Sequence, residues 1–411
     1  MRSPQTSAVS SRAVTEVMRT PLIVCNIGHE VALEAGDPLH YTPPRLIRQM
    51  RSALWSLPLW ATPSWLEDDS WWVHPFSESL SPYLTDRELS HIAKGDVGDS
   101  EVVLWGHERS LAHSLAKQYG LSDGEACSEL PQELMPCWTR AASARFFEHY
   151  SSVPWRSRVA MITQIEKLAE LLTHGPCLVK LPFSSSGRGL WRINQLDSQL
   201  EETLRKLLQR HGTLLVEPLL DKQQDYGAEY YINEAGEVQF IGACAFETDD
   251  QGRYLESLCQ DPEETLRQLT DSLTDPDELQ QALAQHHAYL TREVAPYYRG
   301  PVGIDLLTYR TDEVSDRIAL HPWVEINLRY TMGHYALDLY RERIPQGSHD
   351  QYRFGILSAP RAKALLATAN APTLDDAGRL RSGLLPLTST DLDTDLDTVS
   401  HIAYLRCEVA S

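Results

Sequence analysis

The sequence predicts an α/β protein in which an N-terminal domain with a partly parallel sheet precedes two α+β units. Three observations predict this class: strand–turn–helix segments near the start, a glycine-rich loop between two strands, and a long apolar hairpin interrupted by acids. At 411 residues the chain is too long for one compact core. We therefore expect two or three domains.

The N-terminal domain is predicted over residues 20–137, after a flexible tip at residues 1–19. PLIVCNIG and SEVVLWG read as buried strands, and a helix is predicted through ERSLAHSLAKQYG. His29, His107 and Glu108 follow these strands, where open α/β sheets bind ligands. A cap or surface role is the alternative for each of them.

The first α+β unit is predicted from a change of pattern at about Pro154. Apolar residues at helical spacing predict a helix that Gly175 and Pro176 end; they are Ile162, Ile165, Leu168, Ala169 and Leu172. Two strands flank the loop SSSGRG, a helix begins at Asp197, and TLLVEPLL is the next strand. AEYYIN and EVQFIGACAF begin the larger unit, and SHIAYLRCEVA reads as a final strand.

The most informative segment is the predicted hairpin of GIDLLTY and IALHPWVEIN. Side chains alternate between the faces of a strand, so Glu325 and Asn327 point the same way. A turn centred near Ser315 places Asp305 opposite Glu325. Two facing carboxylates repel unless a proton or cation lies between them, and oxygen ligands suit Mg²⁺. The alternative is a hairpin whose acids pair with nearby arginines.

A second polar element precedes this hairpin. Lys180 ends an apolar strand, and the loop after it offers serine hydroxyls, Arg188 and two glycines whose backbone N–H groups can approach a phosphate closely. Neither GxxxxGK(S/T) nor GxGxxG is present, so this is not a Walker or dinucleotide loop. A glycine-rich turn with solvated charges is the alternative reading.

Four of these features in this order resemble the ATP-grasp superfamily, which includes D-alanine–D-alanine ligase, biotin carboxylase and glutathione synthetase. They are Lys180 on its strand, SSSGRG, VEPLL at residues 216–220, and the GID and VEIN strands. The resemblance extends over roughly residues 138–339 and implies an ATP-grasp fold behind a Rossmann-like domain. VEINLRYTMG lacks the Pro-Gly that follows the asparagine in D-alanine ligases, so the substrate stays open.

The resemblance implies a role for each matching residue. The implied ATP-binding residues are Arg145, Lys180, Ser184, Ser185, Ser186, Gly187, Arg188, Gly189, Val216, Glu217, Leu219 and Asp225. Residues 184–189 would form a lid over the triphosphate, and Glu217 would lie near the adenine amine. Arg145 replaces a lysine that is absent from residues 131–148. The implied catalytic residues are Lys180, Arg188 and Arg329, and the implied magnesium ligands are Asp305, Glu325 and Asn327.

The resemblance also divides the chain and implies a reaction. Residues 138–220 would form the small ATP-grasp subdomain with the lid, residues 221–345 the large subdomain with the metal site, and residues 346–411 a C-terminal segment packed on it. The implied activity is an ATP- and Mg²⁺-dependent ligation of a small-molecule carboxylate to an amine through an acyl phosphate. A phosphotransferase with a non-carboxylate acceptor and a non-catalytic nucleotide-binding protein are the alternatives. A homodimer is compatible with the resemblance.

The amino-acid composition argues against some classes of binding partner. A formal net charge of −20 argues against nucleic acid or an anionic membrane surface as the main partner. Seven scattered cysteines without metal-ligand spacing indicate free thiols in a reducing compartment. No apolar run is long enough to cross a bilayer and no signal peptide is evident, so a cytoplasmic protein is expected. Five tryptophans between residues 55 and 72 predict core packing, with an aromatic substrate wall as the alternative.

Overall fold

The structure, a computed structural model, describes residues 19–66, 70–183, 189–311, 316–391 and 400–408. Its described residues form three β-sheets with helices packed against them, so the predicted α/β class is confirmed. The strands are β1 Thr20–Val24, β2 Trp72–Val73, β3 Ser100–Leu104, β4 Ala160–Ile162, β5 Cys177–Lys180, β6 Leu190–Ile193, β7 Leu214–Pro218, β8 Asp221–Ile232, β9 Val238–Thr248, β10 Tyr254–Leu258, β11 Gly300–Arg310, β12 Ile318–Asn327, β13 Gln351–Ser358, β14 Thr373–Leu374, β15 Leu380–Pro386 and β16 His401–Glu408.

The helices connect and cover these sheets. The α-helices are α1 Glu30–Glu34, α2 Arg45–Leu54, α3 Asp86–Leu89, α4 Arg109–Tyr119, α5 Ala141–His149, α6 Ile165–Leu172, α7 Ser198–His211, α8 Pro262–Ser272, α9 Asp277–Tyr289, α10 Met332–Arg343 and α11 Ala359–Thr368. A π-helical turn over Leu290–Val294 ends the helical segment that leads into β11.

The N-terminal sheet is parallel, in the order β2-β1-β3. Both strands predicted from the sequence are present, and β1 pairs with β3 from Thr20 opposite Ser100 to Val24 opposite Leu104. The helix predicted after Gly106 is α4, which ends at Gly120 in a left-handed conformation that glycine adopts without a Cβ clash. The carboxyl ends of β1 and β3 therefore lie side by side, with the loops that follow them at one edge.

The second sheet has four antiparallel strands in the order β4-β7-β5-β6. Alternate residues such as Val179 and Val216 pack into a core with α6 and α7, so the residues between them face the other way. The helix predicted to begin at Asp197 is α7, and Asp197 caps it by accepting from the Leu200 backbone N–H. The helix prediction was wrong at Ile162, which ends β4 and pairs with Leu214.

The largest sheet has nine strands in the order β12-β11-β8-β9-β10-β13-β16-β15-β14. The predicted hairpin is β11–β12, and AEYYIN and EVQFIGACAF lie in the paired strands β8 and β9. The C-terminal strands β14–β16 extend the same sheet through β13. Leu219 and Leu220 lie between β7 and β8, so only two residues separate this sheet from the four-stranded one.

The core of the hairpin fixes which of its faces is polar. Val302, Ile304 and Leu306 are buried in a hydrophobic core that also contains Phe146 of α5 and Tyr289 of α9. Because side chains alternate along a strand, residues 303 and 305 lie on the opposite face. The candidate functional site lies on that opposite face.

The tryptophan-rich segment is largely buried. Trp55 and Trp60 are almost completely inaccessible, and the indole N–H of Trp60 donates to the Leu387 carbonyl at 2.6 Å. Trp65 stacks on Tyr231 with ring centroids 5.4 Å apart. The predicted core-packing role is confirmed for Trp55 and Trp60.

All seven cysteines are described and none forms a disulfide; six are buried and Cys407 is half-buried. Within the described ranges, each helix is too short or too polar to traverse a lipid bilayer.

Candidate functional site

The acids of the hairpin meet as the sequence predicted. In the β11–β12 register Asp305 lies opposite Glu325, and Asn327 lies opposite Gly303. The ladder shifts register just beyond Asp305, where a bulge separates it from Leu307. Asp305, Glu325 and Asn327 are each partly exposed, and Glu325 and Asn327 line a cleft.

The neighbouring strand adds two more carboxylates to this face. In β8, Gly227 is the register partner of Asp305, and Asp225 and Glu229 lie two residues to either side of it. Burial, together with the charges of Glu325 and Glu229, raises the pKa of Asp305 well above its ordinary value. An acid in this position needs a proton or a cation beside it. The donor set of two carboxylates and one carboxamide is the type that Mg²⁺ prefers.

Lys180 lies on the polar face of the four-stranded sheet and forms a buried ion pair with Glu217. Leu178 of β5 is the register partner of Glu217, so Lys180 and Glu217 are diagonal neighbours. Burial lowers the pKa of Lys180, whereas the Glu217 and Glu325 carboxylates favour its charged form. Lys180 therefore lies within electrostatic reach of the acid cluster on the other sheet.

Glu217 has one carboxylate oxygen that the ion pair does not use. Its Oε2 atom is buried and has no hydrogen-bond partner among the described residues. A buried, unsatisfied carboxylate oxygen costs about 1–3 kcal/mol or more. This oxygen is available to accept a hydrogen bond from a ligand at the junction of the two sheets.

The cation beside the acid cluster is Arg140 rather than Arg145. Arg140 immediately precedes α5, and its guanidinium is 2.9 Å from the Glu325 carboxylate and donates to the Val324 carbonyl. Arg145 instead pairs with Glu293 at 2.6 Å. The structure thus corrects the sequence-based choice of Arg145, because its guanidinium is held at Glu293 and not at the acids.

Arg329 connects the acid cluster to the N-terminal domain. Its guanidinium donates to the Asn327 side-chain oxygen at 3.1 Å and lies 3.1 Å from the Glu30 carboxylate. A bridge between Gly106 and Arg329 joins the loop after β3 to the end of β12. Arg329 is therefore part of the same cleft as the predicted metal ligands.

The remaining residues that the resemblance implies lie in different surroundings. The Val216 side chain is buried in the core between the four-stranded sheet and its helices, so only its backbone groups could contact a ligand. The Leu219 N–H donates to the Pro176 carbonyl at 3.0 Å. Asp225 is held by Lys222 at 2.5 Å and by Thr248 at 2.8 Å. Ser184, Ser185, Ser186, Gly187 and Arg188 lie outside the described residues.

Sequence reasoning missed a buried pair behind the acid cluster. The Glu229 carboxylate lies 2.8 Å from the His334 imidazole and accepts from the Thr331 hydroxyl at 2.8 Å. A Cβ at Gly303 would approach the Glu229 Oε2 atom to 2.8 Å, so only glycine fits there. A single acid inside AEYYIN gives no signal of this pairing, because His334 is 105 positions away in the sequence.

No family model and no curated protein matches the chain. Solved structures of similar shape include an N5-carboxyaminoimidazole synthetase from Staphylococcus aureus, with 10% identity, a TM-score of 0.46, and coverage of 95% of this chain and 94% of that one. A biotin carboxylase β,γ-ATP complex from Campylobacter jejuni is similar with 12% identity, a TM-score of 0.47, and coverage of 76% and 70%. An L-amino acid ligase from Bacillus licheniformis has 9% identity, a TM-score of 0.38, and coverage of 75% and 75%.

Proposed function

We propose that this chain is an ATP-grasp enzyme that ligates a small-molecule carboxylate to an amine and converts ATP to ADP and phosphate. One observation carries the proposal: Asp305 and Glu325 lie directly opposite each other beside Asn327, within electrostatic reach of the buried Lys180 ammonium group. Opposed acids, with lysine and arginine close by, form the charge pattern that a magnesium–triphosphate complex requires.

Asp305, Glu325 and Asn327 would hold the magnesium. Their oxygens fit the ion because Asp305 lies among like charges, which a divalent cation would offset. When bound, the metal supplies charge neutralisation for the phosphate oxygens. Asp225 shares this sheet face and is the proposed contact for the ribose hydroxyls.

The two sheets would enclose the nucleotide between them. Lys180 would contact the α- and β-phosphates, because its charge lies on the face that looks toward Glu325. The unsatisfied Oε2 atom of Glu217 would accept from the exocyclic amine of adenine. Leu219, in the two-residue connection between the sheets, would contact the base, with Val216 contributing through its backbone.

We also propose a lid over the triphosphate. Residues 184–188 would cover the triphosphate, with Arg188 adding positive charge, and Gly189 allows the chain to return into β6. Covering the site matters because an acyl phosphate exposed to water hydrolyses.

No side chain of the protein acts as a nucleophile in the proposed reaction. A carboxylate oxygen of the substrate attacks the γ-phosphorus of ATP, and the bond from that phosphorus to the β–γ bridging oxygen breaks, which releases ADP. The amine nitrogen then attacks the acyl carbon, the carbon–oxygen bond to phosphate breaks, and the amine loses a proton to solvent. Arg329, and Arg140 in place of Arg145, would stabilise charge on the transferred group.

Nucleotide binding and turnover of two variants test the proposal. We expect Glu325→Gln to remove the magnesium-dependent part of ADP binding, and Lys180→Met to weaken ADP binding by about 10- to 100-fold, because each loses a charge-assisted contact. Isothermal titration calorimetry with and without Mg²⁺ measures both effects. The exposed pair of Glu202 and Lys206 supplies matched controls, Glu202→Gln and Lys206→Met, which should bind as wild type does.

The identity of the products distinguishes the three candidate functions. An amide together with ADP supports the ligase, whereas a phosphorylated acceptor indicates a phosphotransferase. Nucleotide binding without turnover for any carboxylate and amine indicates a binding protein. If both Glu325→Gln and Lys180→Met turned over ATP as the wild type does, these residues would not form the ATP site.

A further inference from the structure

Three side chains that can bind a metal ion meet beside α4, in the N-terminal part of the chain. They are His113 on the helix and Asp123 and Cys127 in the segment that follows it. Each residue offers one ligand atom, an imidazole nitrogen, a carboxylate oxygen or the thiol sulfur, and these atoms all lie within 4.8 Å of one another. The residues that line the cleft at Glu325 and Asn327 are different ones. The cluster therefore lies outside that cleft.

The segment of residues 121–127 folds back along α4. At its start, the Leu121 N–H donates to the Ala116 carbonyl in the last turns of the helix, at 2.8 Å. At its end, the Cys127 carbonyl accepts from Nε of Arg109, the first residue of the helix, at 3.3 Å. Both ends of the segment are thus hydrogen-bonded to α4, which keeps the segment beside one face of the helix.

That face of α4 is defined by the spacing of its residues. Arg109, Ala112, His113 and Ala116 follow the i, i+3, i+4, i+7 pattern of a single helical face. Ala112 and Ala116 are buried in a small apolar cluster that also contains Cys127. Alanine has a short side chain, so the segment can approach the helix closely there. His113 belongs to the same face and therefore lies beside the segment.

The cluster combines a buried sulfur with polar groups that face solvent. Cys127 is 6% exposed, whereas the side chains of His113 and Asp123 are 30% and 67% exposed. The Nδ1 atom of His113 lies 3.3 Å from Oδ1 of Asp123. A tetrahedral zinc ion with bonds of about 2.0–2.3 Å separates its ligand atoms by roughly 3.3–3.8 Å. Small movements of the exposed side chains would therefore bring all three atoms to binding distance.

The chemistry of the donors matches zinc better than magnesium or calcium. Zn²⁺ binds thiolate sulfur, imidazole nitrogen and carboxylate oxygen in four-coordinate sites, whereas Mg²⁺ and Ca²⁺ prefer oxygen ligands. The charges also balance, because a carboxylate and a thiolate together offset a divalent cation and a neutral imidazole adds none. The guanidinium of Arg109 does not compete with the ion, since it pairs with the Glu129 carboxylate at 2.7 Å.

We propose that His113, Asp123 and Cys127 bind one Zn²⁺ ion, with a water molecule in the fourth position. As the sulfur–zinc bond forms, the thiol of Cys127 becomes a thiolate and its proton passes to solvent. The ion joins the segment 121–127 to α4 by a third connection, in addition to the two hydrogen bonds. The zinc site does not depend on the proposed ATP site.

Zinc titration of the full-length chain tests the site. The protein is kept reduced with a phosphine that does not bind zinc, and Mg²⁺ is present in excess to occupy sites built from oxygen ligands. We expect one Zn²⁺ per chain with a dissociation constant of about 1 μM or lower, measured by isothermal titration calorimetry. Co²⁺ in the same site should give the intense near-ultraviolet absorption of a cobalt–thiolate bond.

Three single variants locate the ligands. Cys127→Ser, His113→Asn and Asp123→Asn should each weaken Zn²⁺ binding by about 100-fold or more, because a site with three protein ligands loses one of them. Cys127→Ser should also lose the cobalt–thiolate absorption. Asp123 is exposed, so Asp123→Asn keeps the core intact and tests the site even if Cys127→Ser folds poorly. The matched controls are the half-buried Cys407→Ser and the exposed His149→Asn, which should bind zinc as the wild type does.

Hydrogen exchange tests whether the ion joins the segment to the helix. Bound Zn²⁺ should slow exchange of the Leu121 and Cys127 amides by about 10-fold or more in the wild type, and should leave it unchanged in Asp123→Asn. Exchange that Zn²⁺ does not slow in the wild type would overturn this connecting role.

The outcomes separate the zinc site from the proposed function. No Zn²⁺ binding in the wild type, or wild-type affinity in any of the three ligand variants, overturns the site. Zinc binding that is lost in Glu325→Gln and kept in Cys127→Ser places the ion at the proposed magnesium ligands and overturns it as well. Zinc binding that persists in Glu325→Gln and is lost in Cys127→Ser supports the site, whether or not the chain turns over ATP.

Discussion

At the scale of single residues, the pair of Glu229 and His334 determines how the hairpin responds to pH. Burial opposes the charged form of His334, but the Glu229 carboxylate at 2.8 Å outweighs it and raises the pKa of His334. A histidine whose folded-state pKa is raised stabilises the fold fully below its ordinary pKa. That stabilisation is lost as the pH rises from about 6.5 through the raised value.

The variant Glu229→Gln tests this pair. We expect a loss of about 3–5 kcal/mol at pH 6, because removing one partner leaves the other charge buried alone. The loss should be smaller at pH 9, because the His334 imidazole gives up the proton of the ion pair as the pH rises through its raised pKa. Urea unfolding at the two pH values measures the difference, with the surface variant Glu237→Gln as the reference. An equal loss at both pH values would show that the ion pair is not its cause.

The residue scale also shows what sequence can reveal about a site. The relative positions of Asp305, Glu325 and Asn327 could be predicted because period-two alternation and hairpin register are local rules. Arg140 was missed in favour of Arg145. Five residues along a helix turn the side chain by about 140°, so the two arginines point in different directions, and only the packing of α5 selects one of them.

At the scale of elements, the hairpin of β5 and β6 depends on Gly189. Its φ of +75° is one that residues with a Cβ rarely adopt, and a Cβ there would lie 2.7 Å from the Leu181 side chain. The Leu181 N–H donates to the Gly189 carbonyl at 3.1 Å, so this residue closes the end of the hairpin beside Lys180. The geometry of the hairpin therefore positions the proposed phosphate-binding lysine.

We expect Gly189→Ala to destabilise this hairpin by about 1–2 kcal/mol, because alanine adopts a left-handed conformation at that cost and also contacts Leu181. Hydrogen exchange should become faster at the amides of β5 and β6 and stay unchanged in β11 and β12. Gly124→Ala is the matched control, since a Cβ there meets no atom within 4 Å. Unchanged exchange in Gly189→Ala would mean that the hairpin tolerates the new side chain by shifting Leu181.

Long elements could be predicted from sequence and short ones could not. The strands β9, β11 and β12 each have ten or more residues and clear apolar patterns, whereas only the second half of β8 has one. β2 and β14 have two residues each, and β4 has three, so their pairing depends on partners far away in the sequence. Ile162 illustrates the limit, since a buried isoleucine three residues before α6 matches the helical spacing as well as a strand end.

At the scale of the whole molecule, the first and last parts of the chain support the site together. Arg343, at the end of α10, pairs with Glu88 at 3.0 Å, donates to the Trp60 carbonyl at 2.5 Å, and lies 5.1 Å from the Trp60 ring centre. The Trp60 indole N–H in turn donates to the Leu387 carbonyl, 327 positions away. This network holds the N-terminal part of the chain around Trp60 and Glu88 against α10 and the end of β15.

The variant Arg343→Met tests this coupling, because methionine keeps much of the volume but removes the charge and all the hydrogen bonds. We expect the melting temperature to fall by roughly 2–5 °C, since Glu88 is left half-paired in a largely buried position. We also expect KM for the carboxylate substrate to rise more than the dissociation constant of ADP, because the cleft spans the two units whereas the nucleotide contacts lie within the two larger sheets. Calorimetry and steady-state kinetics measure these effects, with the exposed Arg210→Met as the reference. Parallel losses in both affinities would show that Arg343 supports the fold in general and not the alignment of the N-terminal domain.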